Sequence, residues 1–117
     1  IMGIGIPNRA GSTMIRAGYI TREQMHGLVQ QGAVGDISLQ FFDRNGAFEQ
    51  FREFNSRVAG MPLAQLRAVE NKIGVSSGVH KAEAIYGALR GGFVNILITD
   101  QECALKLLEL GKEGTAS

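Results

Sequence analysis

A run of small residues, Gly74-Val75-Ser76-Ser77-Gly78, leads into Val79-His80-Lys81-Ala82-Glu83-Ala84-Ile85. Its pattern predicts a buried strand, a short loop and the first turns of a helix that carries a lysine. Such a loop aims backbone N–H groups and one ammonium at the same place. Ser76, Ser77, Gly78 and Lys81 could therefore cradle an anion, most plausibly a phosphate. The competing reading is a plain strand-to-helix turn with a solvated lysine. The run has neither P-loop spacing nor a G-x-G-x-x-G fingerprint.

A second set is Gly32-Ala33-Val34-Gly35-Asp36. Small residues ahead of a carboxylate suggest a fixed backbone that aims Asp36 at sugar hydroxyls. The bland alternative is a helix stop followed by a turn acid. Gly5 and Asn8 lie at the end of the aliphatic run Ile1–Ile6, and Arg9 beside them could meet an anion bidentately or simply be solvated. Asp36 and Lys81 could act as an acid–base pair, and such a lysine could form a Schiff base with an open-chain aldose. Nothing in the spacing singles out either chemistry. His26 reads as a surface residue, and His80 as a helix start or a neighbour of the phosphate. No His, Cys or carboxylate cluster has metal-ligand spacing, and no cofactor is expected.

These groups need strands and helices to hold them. Ile1–Ile6 predicts a buried strand, and Thr13–Ala17 a short helical turn. Thr21-Arg22-Glu23-Gln24 is a capping box that opens a helix with Met25, Leu28 and Val29 on its inner face, ending near Gly32. Asp36–Phe42 alternates like a half-buried strand. Asn45-Gly46 then signals a hairpin, with Ala47–Phe54 returning as an exposed antiparallel strand. Pro62–Val69 predicts a short helix and Lys72–Ser76 a strand. Val79–Arg90 predicts a helix facing inward with Val79, Ala82, Ile85, Ala88 and Leu89. Phe93–Ile98 predicts another strand, and a capping box at Thr99–Glu102 opens a last helix ending at Leu110. The last four elements make a βαβα unit, so the fold class is α/β with a mostly parallel, Rossmann-like sheet, flanking helices and a hairpin. Ligands of such sheets bind beyond the carboxyl ends of the strands, where Gly5–Asn8, Ser76–Gly78 and Thr99–Asp100 would fall.

The bulk numbers exclude several classes. With 117 residues one domain is expected, and 12 Lys+Arg against 11 Asp+Glu lacks the basic excess of a nucleic-acid binder. The lone Cys103 rules out a disulfide framework and favours a reducing, cytoplasmic setting, with the thiol a buried hydrophobe. No apolar run reaches the roughly 20 residues that span a bilayer, so no membrane partner is expected. The N-terminus lacks the parts of a signal peptide. The chain opens inside a strand pattern, which suggests a piece of a longer protein.

Three segments together carry a family pattern: Gly32-Ala33-Val34-Gly35-Asp36-Ile37 with Phe41-Phe42-Asp43; Ile73-Gly74-Val75-Ser76-Ser77-Gly78 with Lys81-Ala82, Ala84-Ile85 and Gly87-Ala88-Leu89-Arg90-Gly91-Gly92; and Asn95, Leu97, Thr99-Asp100. With Gly3-Ile4-Gly5 ahead of them, they resemble the sugar-binding domain of SorC-type bacterial transcriptional regulators over about residues 2–110. The resemblance implies a fold similar to ribose-5-phosphate isomerase and glucosamine-6-phosphate deaminase. It implies a phosphorylated sugar bound as an effector without turnover, with Asp36 meeting sugar hydroxyls and Lys81 and Ser77–Gly78 meeting the phosphate or sugar. It further implies a homo-oligomer and DNA contact only through a separate N-terminal helix-turn-helix domain. The chain would then be the C-terminal portion, residues 1–117, of the effector domain. Where the family often has a second glycine or alanine, this chain has Ser76-Ser77. The alternatives are a sugar-phosphate isomerase or deaminase using Asp36 and Lys81, and an assembly module using Phe41, Phe42, Phe48, Phe51 and Phe54.

Overall fold

Along the chain, β1 (Met2–Gly3) is followed by α1 (Arg22–Gln30), β2 (Ala33–Ile37), β3 (Gln40–Asp43), α2 (Arg52–Asn55) and α3 (Leu63–Leu66). Then come β4 (Ile73–Val75), α4 (Ala82–Arg90), β5 (Ile96–Ile98) and α5 (Gln101–Ala116). The computed structural model describes residues 1–7, 16–58 and 60–116. Asn8, Arg9 and most of the turn expected at Thr13–Ala17 lie outside the described residues.

The three short aliphatic strands form a parallel sheet in the order β1-β4-β5. The register sets Met2, Gly74 and Leu97 in one row, and Gly3, Val75 and Ile98 in the next. Side chains alternate across a strand, so the first row faces the core and the second faces away. Met2 and Leu97 pack against the core cluster of Ile4, Ile85, Phe93, Val94 and Cys103. On the other face Val75, Ile96 and Ile98 are exposed, Ile98 to 57%. A parallel sheet is ordinarily covered on both faces; here helices cover one.

The expected hairpin exists, but its turn lies elsewhere. β2 and β3 pair antiparallel through a two-residue turn at Ser38-Leu39, both with positive φ (51° and 67°). Positive φ at both central residues is the backbone of the hairpin turn that normally selects Asn-Gly. The stretch expected as one strand, Asp36–Phe42, is thus the second half of one strand, the turn and most of another. Asp43-Arg44-Asn45-Gly46 is indeed a turn, with Gly46 N–H donating to Asp43 O at 2.9 Å. However, Asp43 Oδ1 accepts from Asn45 N–H (2.9 Å) and Ala47 N–H (2.8 Å), and no strand returns. Ala47–Phe54 is instead a loop, a 3-10 turn (Glu49–Phe51) and most of α2. The outer edge of β3 is closed by a side chain. Asn55 Oδ1 accepts from Phe41 N–H (2.8 Å) and Asn55 Nδ2 donates to Phe41 O (3.0 Å), the two bonds a neighbouring strand would make.

The hairpin is buried on both sides. Ile37 and Phe42 face the main core, whereas Ala33 and Phe41 face a second one with Ile20, Met25, Leu28 and Phe51. The phenylalanines read as a surface assembly patch are therefore internal: Phe41, Phe42 and Phe51 are buried, Phe54 meets Phe41 edge-on at 5.4 Å, and Phe48 meets Phe93 at 5.7 Å. This removes the assembly reading based on them.

α1 starts as predicted, with Gln24 N–H donating to Thr21 Oγ1 at 3.0 Å and Thr21 N–H to Gln24 Oε1 at 2.9 Å. Its buried stripe is narrower than expected: Met25 and Leu28 pack into the second core with Phe41 and Phe51, whereas Val29 is exposed. Val79 and Leu89 are also exposed. Val79 belongs to a 3-10 turn (Val79–Lys81) that is out of phase with α4. α5 runs past the expected stop at Gly111 to Ala116. Its cap is Asp100, not Thr99: Cys103 N–H donates to Asp100 Oδ1 at 2.7 Å.

Candidate functional site

The hairpin joins the carboxyl end of the sheet by one bridge. Gly5 N–H donates to Asp36 O (3.0 Å) and Asp36 N–H to Gly5 O (3.1 Å). On the other side of β1, Ser76 Oγ donates to Ile4 O at 3.3 Å, and Ser76 N–H donates to Ile98 O at 3.1 Å. Asp36, Gly5, Ser76 and Thr99 thus mark four neighbouring chain segments in a row. Of the predicted site residues, Gly5 and Ser76 act here through internal hydrogen bonds, and Ser76 is buried.

Two glycines let α4 lie close on the hairpin. A Cβ at Gly35 would stand 2.6 Å from Ala84 Cβ, and one at Gly87 would stand 2.5 Å from Asp43 O. Such distances are inside van der Waals contact, so only glycine permits this packing. The close approach brings the start of α4 over β2, where the Lys81 ammonium acts on Asp36. Asp36 is 6% exposed. Its Oδ2 accepts from Leu39 N–H at 3.2 Å, while its Oδ1 is buried with no partner among the described residues. Burial pushes its pKa up, and the Leu39 N–H and the Lys81 ammonium pull it back by less. A buried carboxylate oxygen without a donor is costly, and binding a hydroxyl would relieve that cost.

The loop after β4 is arranged differently. Gly78 has φ +100°, which a side-chain-bearing residue rarely adopts. Its N–H donates to Asp100 Oδ2 at 2.6 Å, and its carbonyl accepts from Lys81 N–H at 3.0 Å. Ser77 is exposed and Lys81 half-buried. Two backbone bonds hold the Asp100 pKa below the usual carboxylate value, first from Cys103 N–H and then from Gly78 N–H, with a smaller push from His80. Sequence reasoning placed Asp100 at a strand end but assigned the helix cap one residue early, to Thr99, and so missed its capping role. The signal was present, since Asp100-x-x-Cys103 has the spacing of an aspartate cap.

An open cleft of about 600 Å³ lies beside this row. It is lined by Ile6 and Pro7, by Gly32, Ala33 and Val34, by Asp43, Arg44 and Asn45, and by His80, Glu83 and Ala84. Gly32 and His80, singled out from the sequence, are in its wall, whereas Asp36, Ser76, Ser77, Gly78 and Lys81 are not. His26 is exposed on α1 and is not among the residues that line the cleft. Among the described residues, no group of three or more His, Cys, Asp or Glu is placed to hold a metal ion. No helix among them is long and apolar enough to cross a membrane.

Residues 1–109 match the protein family described as "Putative sugar-binding domain". The chain is similar to the transcriptional regulator LsrR of Escherichia coli O139:H28, at 41% identity over 78 residues, covering 67% of this chain and 25% of LsrR. It is 36% identical over 111 residues to LsrR of Enterobacter sp. (strain 638), covering 94% of this chain and 34% of that protein. Among solved structures, a transcriptional regulator from Streptococcus pneumoniae TIGR4 superposes with a TM-score of 0.83 at 29% identity, over 95% of this chain and 42% of that one. The full-length sorbitol operon regulator SorC of Klebsiella pneumoniae gives 0.75 at 31% identity, over 91% and 34%. The chain spans a quarter to a third of the length of these LsrR relatives. A mixed α/β architecture and a match over nearly its whole length agree: this chain belongs to the sugar-binding domain family found in LsrR- and SorC-type transcriptional regulators.

Proposed function

We propose that the chain is the C-terminal part of an effector domain that binds a phosphorylated sugar and does not turn it over. The observation that carries this reading is the buried Oδ1 of Asp36, which has no hydrogen-bond partner among the described residues and lies within electrostatic range of the Lys81 ammonium. A sugar hydroxyl supplies the donor that Asp36 lacks, and Lys81 with Ser77 meets the anionic end. In the whole regulator, DNA contact belongs to a separate N-terminal domain and the protein works in the cytoplasm as a homo-oligomer. The sugar acts by binding two assembly states with different affinity, since equal affinity would shift nothing. The comparison with regulators supports binding over catalysis, and one carboxyl tied to a turn amide is a poor proton shuttle.

Titration of the 117-residue chain with ribose 5-phosphate, followed by amide chemical shifts, tests this. The expected result is saturable shifts at residues 36–39, at Ser77 and at residues 79–81, with no product formed. Lys81→Ala should weaken binding about tenfold by loss of one charge-assisted contact. Turnover of ribose 5-phosphate that depends on Lys81 would overturn it in favour of an isomerase-like enzyme.

A further inference from the structure

The loop that the sequence marks as an anion cradle already holds an anion of its own. Both oxygens of Asp100 are engaged by backbone N–H groups, Oδ2 by Gly78 at 2.6 Å and Oδ1 by Cys103 at 2.7 Å. These bonds tie the loop after β4 to the first turn of α5. His80 closes the other side, for a Cβ at Gly78 would stand 2.5 Å from its ring. The remaining carbonyl of Gly78 is taken by Lys81 N–H at 3.0 Å. Among the described residues, His80 in the facing turn adds a smaller electrostatic contribution to lowering the Asp100 pKa.

We propose that Asp100 is the resident anion of this loop and a positioning residue for the site: it occupies the Gly78 amide and turns a ligand's phosphate away from the loop bend, toward Ser77 and Lys81. A carboxylate with two amide bonds fills the place where a phosphate would otherwise sit at a helix-start loop, and its charge repels a second anion there. The same two bonds fix the Gly78 backbone, and through the 3-10 turn they fix where Lys81 begins α4. The discriminating element is therefore a negative charge the protein supplies itself. It favours a ligand whose anion lies at the Lys81 end and whose uncharged hydroxyls lie toward Asp36. This assignment rests on the sugar-phosphate reading for its ligand, though not for its geometry.

The test is an amide-resolved titration of the ligand-free chain and of Asp100→Asn, a variant that keeps a good helix cap. In the wild-type chain the Gly78 amide should move as Asp100 titrates, at a pH below the ordinary carboxylate range. A Gly78 amide that ignores that titration overturns the proposal with no ligand involved. With inorganic phosphate as probe, the wild-type chain should shift Ser77 and the Lys81 region and leave the Gly78 amide unmoved. Asp100→Asn should let the Gly78 amide respond and bind phosphate about tenfold tighter. An unchanged phosphate affinity in Asp100→Asn overturns the repulsive role. If phosphate and ribose 5-phosphate move nothing in the wild-type chain while the Gly78 amide still tracks Asp100, the sugar-phosphate reading fails and the resident-anion geometry stands.

Discussion

Asp36 and Asp100 are two carboxylates at one end of the same sheet, held in opposite ways. Asp36 lies under the hairpin turn with one oxygen bonded and the other buried without a partner among the described residues. Asp100 lies at a helix start with both oxygens bonded to backbone amides. Burial raises the first pKa, and the two amides lower the second. Satisfied carboxylates brace structure, and an orphaned one is poised to receive a ligand. The difference separates the residue expected to touch the sugar from the one that shapes the path to it.

The comparison breaks most severely if α4 is pushed off the hairpin. Gly35→Val places methyl groups where Ala84 already sits, and should destabilise the fold by about 3 kcal/mol. Urea unfolding measures this, and a loss under about 0.5 kcal/mol would show that the close approach is not required. A smaller change sharpens the contrast. Asp36→Asn removes a charge that the fold disfavours, so it should raise stability by about 1 kcal/mol at neutral pH while abolishing the ribose 5-phosphate shifts. A variant both weaker in stability and unaltered in binding would contradict the role given to Asp36.

The smallest effect is in the pH dependence, where the two carboxylates have opposite signs. Asp36 has a raised native pKa, so the native state holds more protons than the unfolded chain above the ordinary value of 3.8, and stability falls as pH climbs through that window. Asp100 has a lowered native pKa, so its contribution is present above 3.8 and is lost as pH drops through the lowered value. Urea midpoints across pH 2 to 7 should lose the falling upper limb in Asp36→Asn and flatten the acid limb in Asp100→Asn.

Much of this architecture could be read from residues that act locally. The capping box at Thr21 and the βα units around Gly78 and Gly91-Gly92 are written in short spacings, and the structure has them. Asp36 and Lys81 could be named, since small residues precede each, yet their meeting depends on Gly35 and Gly87 admitting a helix from far along the chain. The hairpin turn was misplaced because Asn45-Gly46 carries the stronger local signal. Ser38-Leu39 adopts its positive φ pair with the Leu39 amide held by the side chain of Asp36, a bond that the residue types alone do not signal. The returning strand failed for a related reason: Phe51, Phe54 and Asn55 have helical spacing, and Asn55 does the pairing that a strand would do.

That last substitution gives the molecule a direction. With Asn55 seated against Phe41 and the Asp43 amide donating to Ala47, the β3 flank offers an incoming polypeptide no open row of donors and acceptors. β5, bonded to β4 alone among the described residues, keeps such a row. An open row of this kind is the template on which an added strand pairs. The architecture is open to lengthening at one margin and sealed at the other.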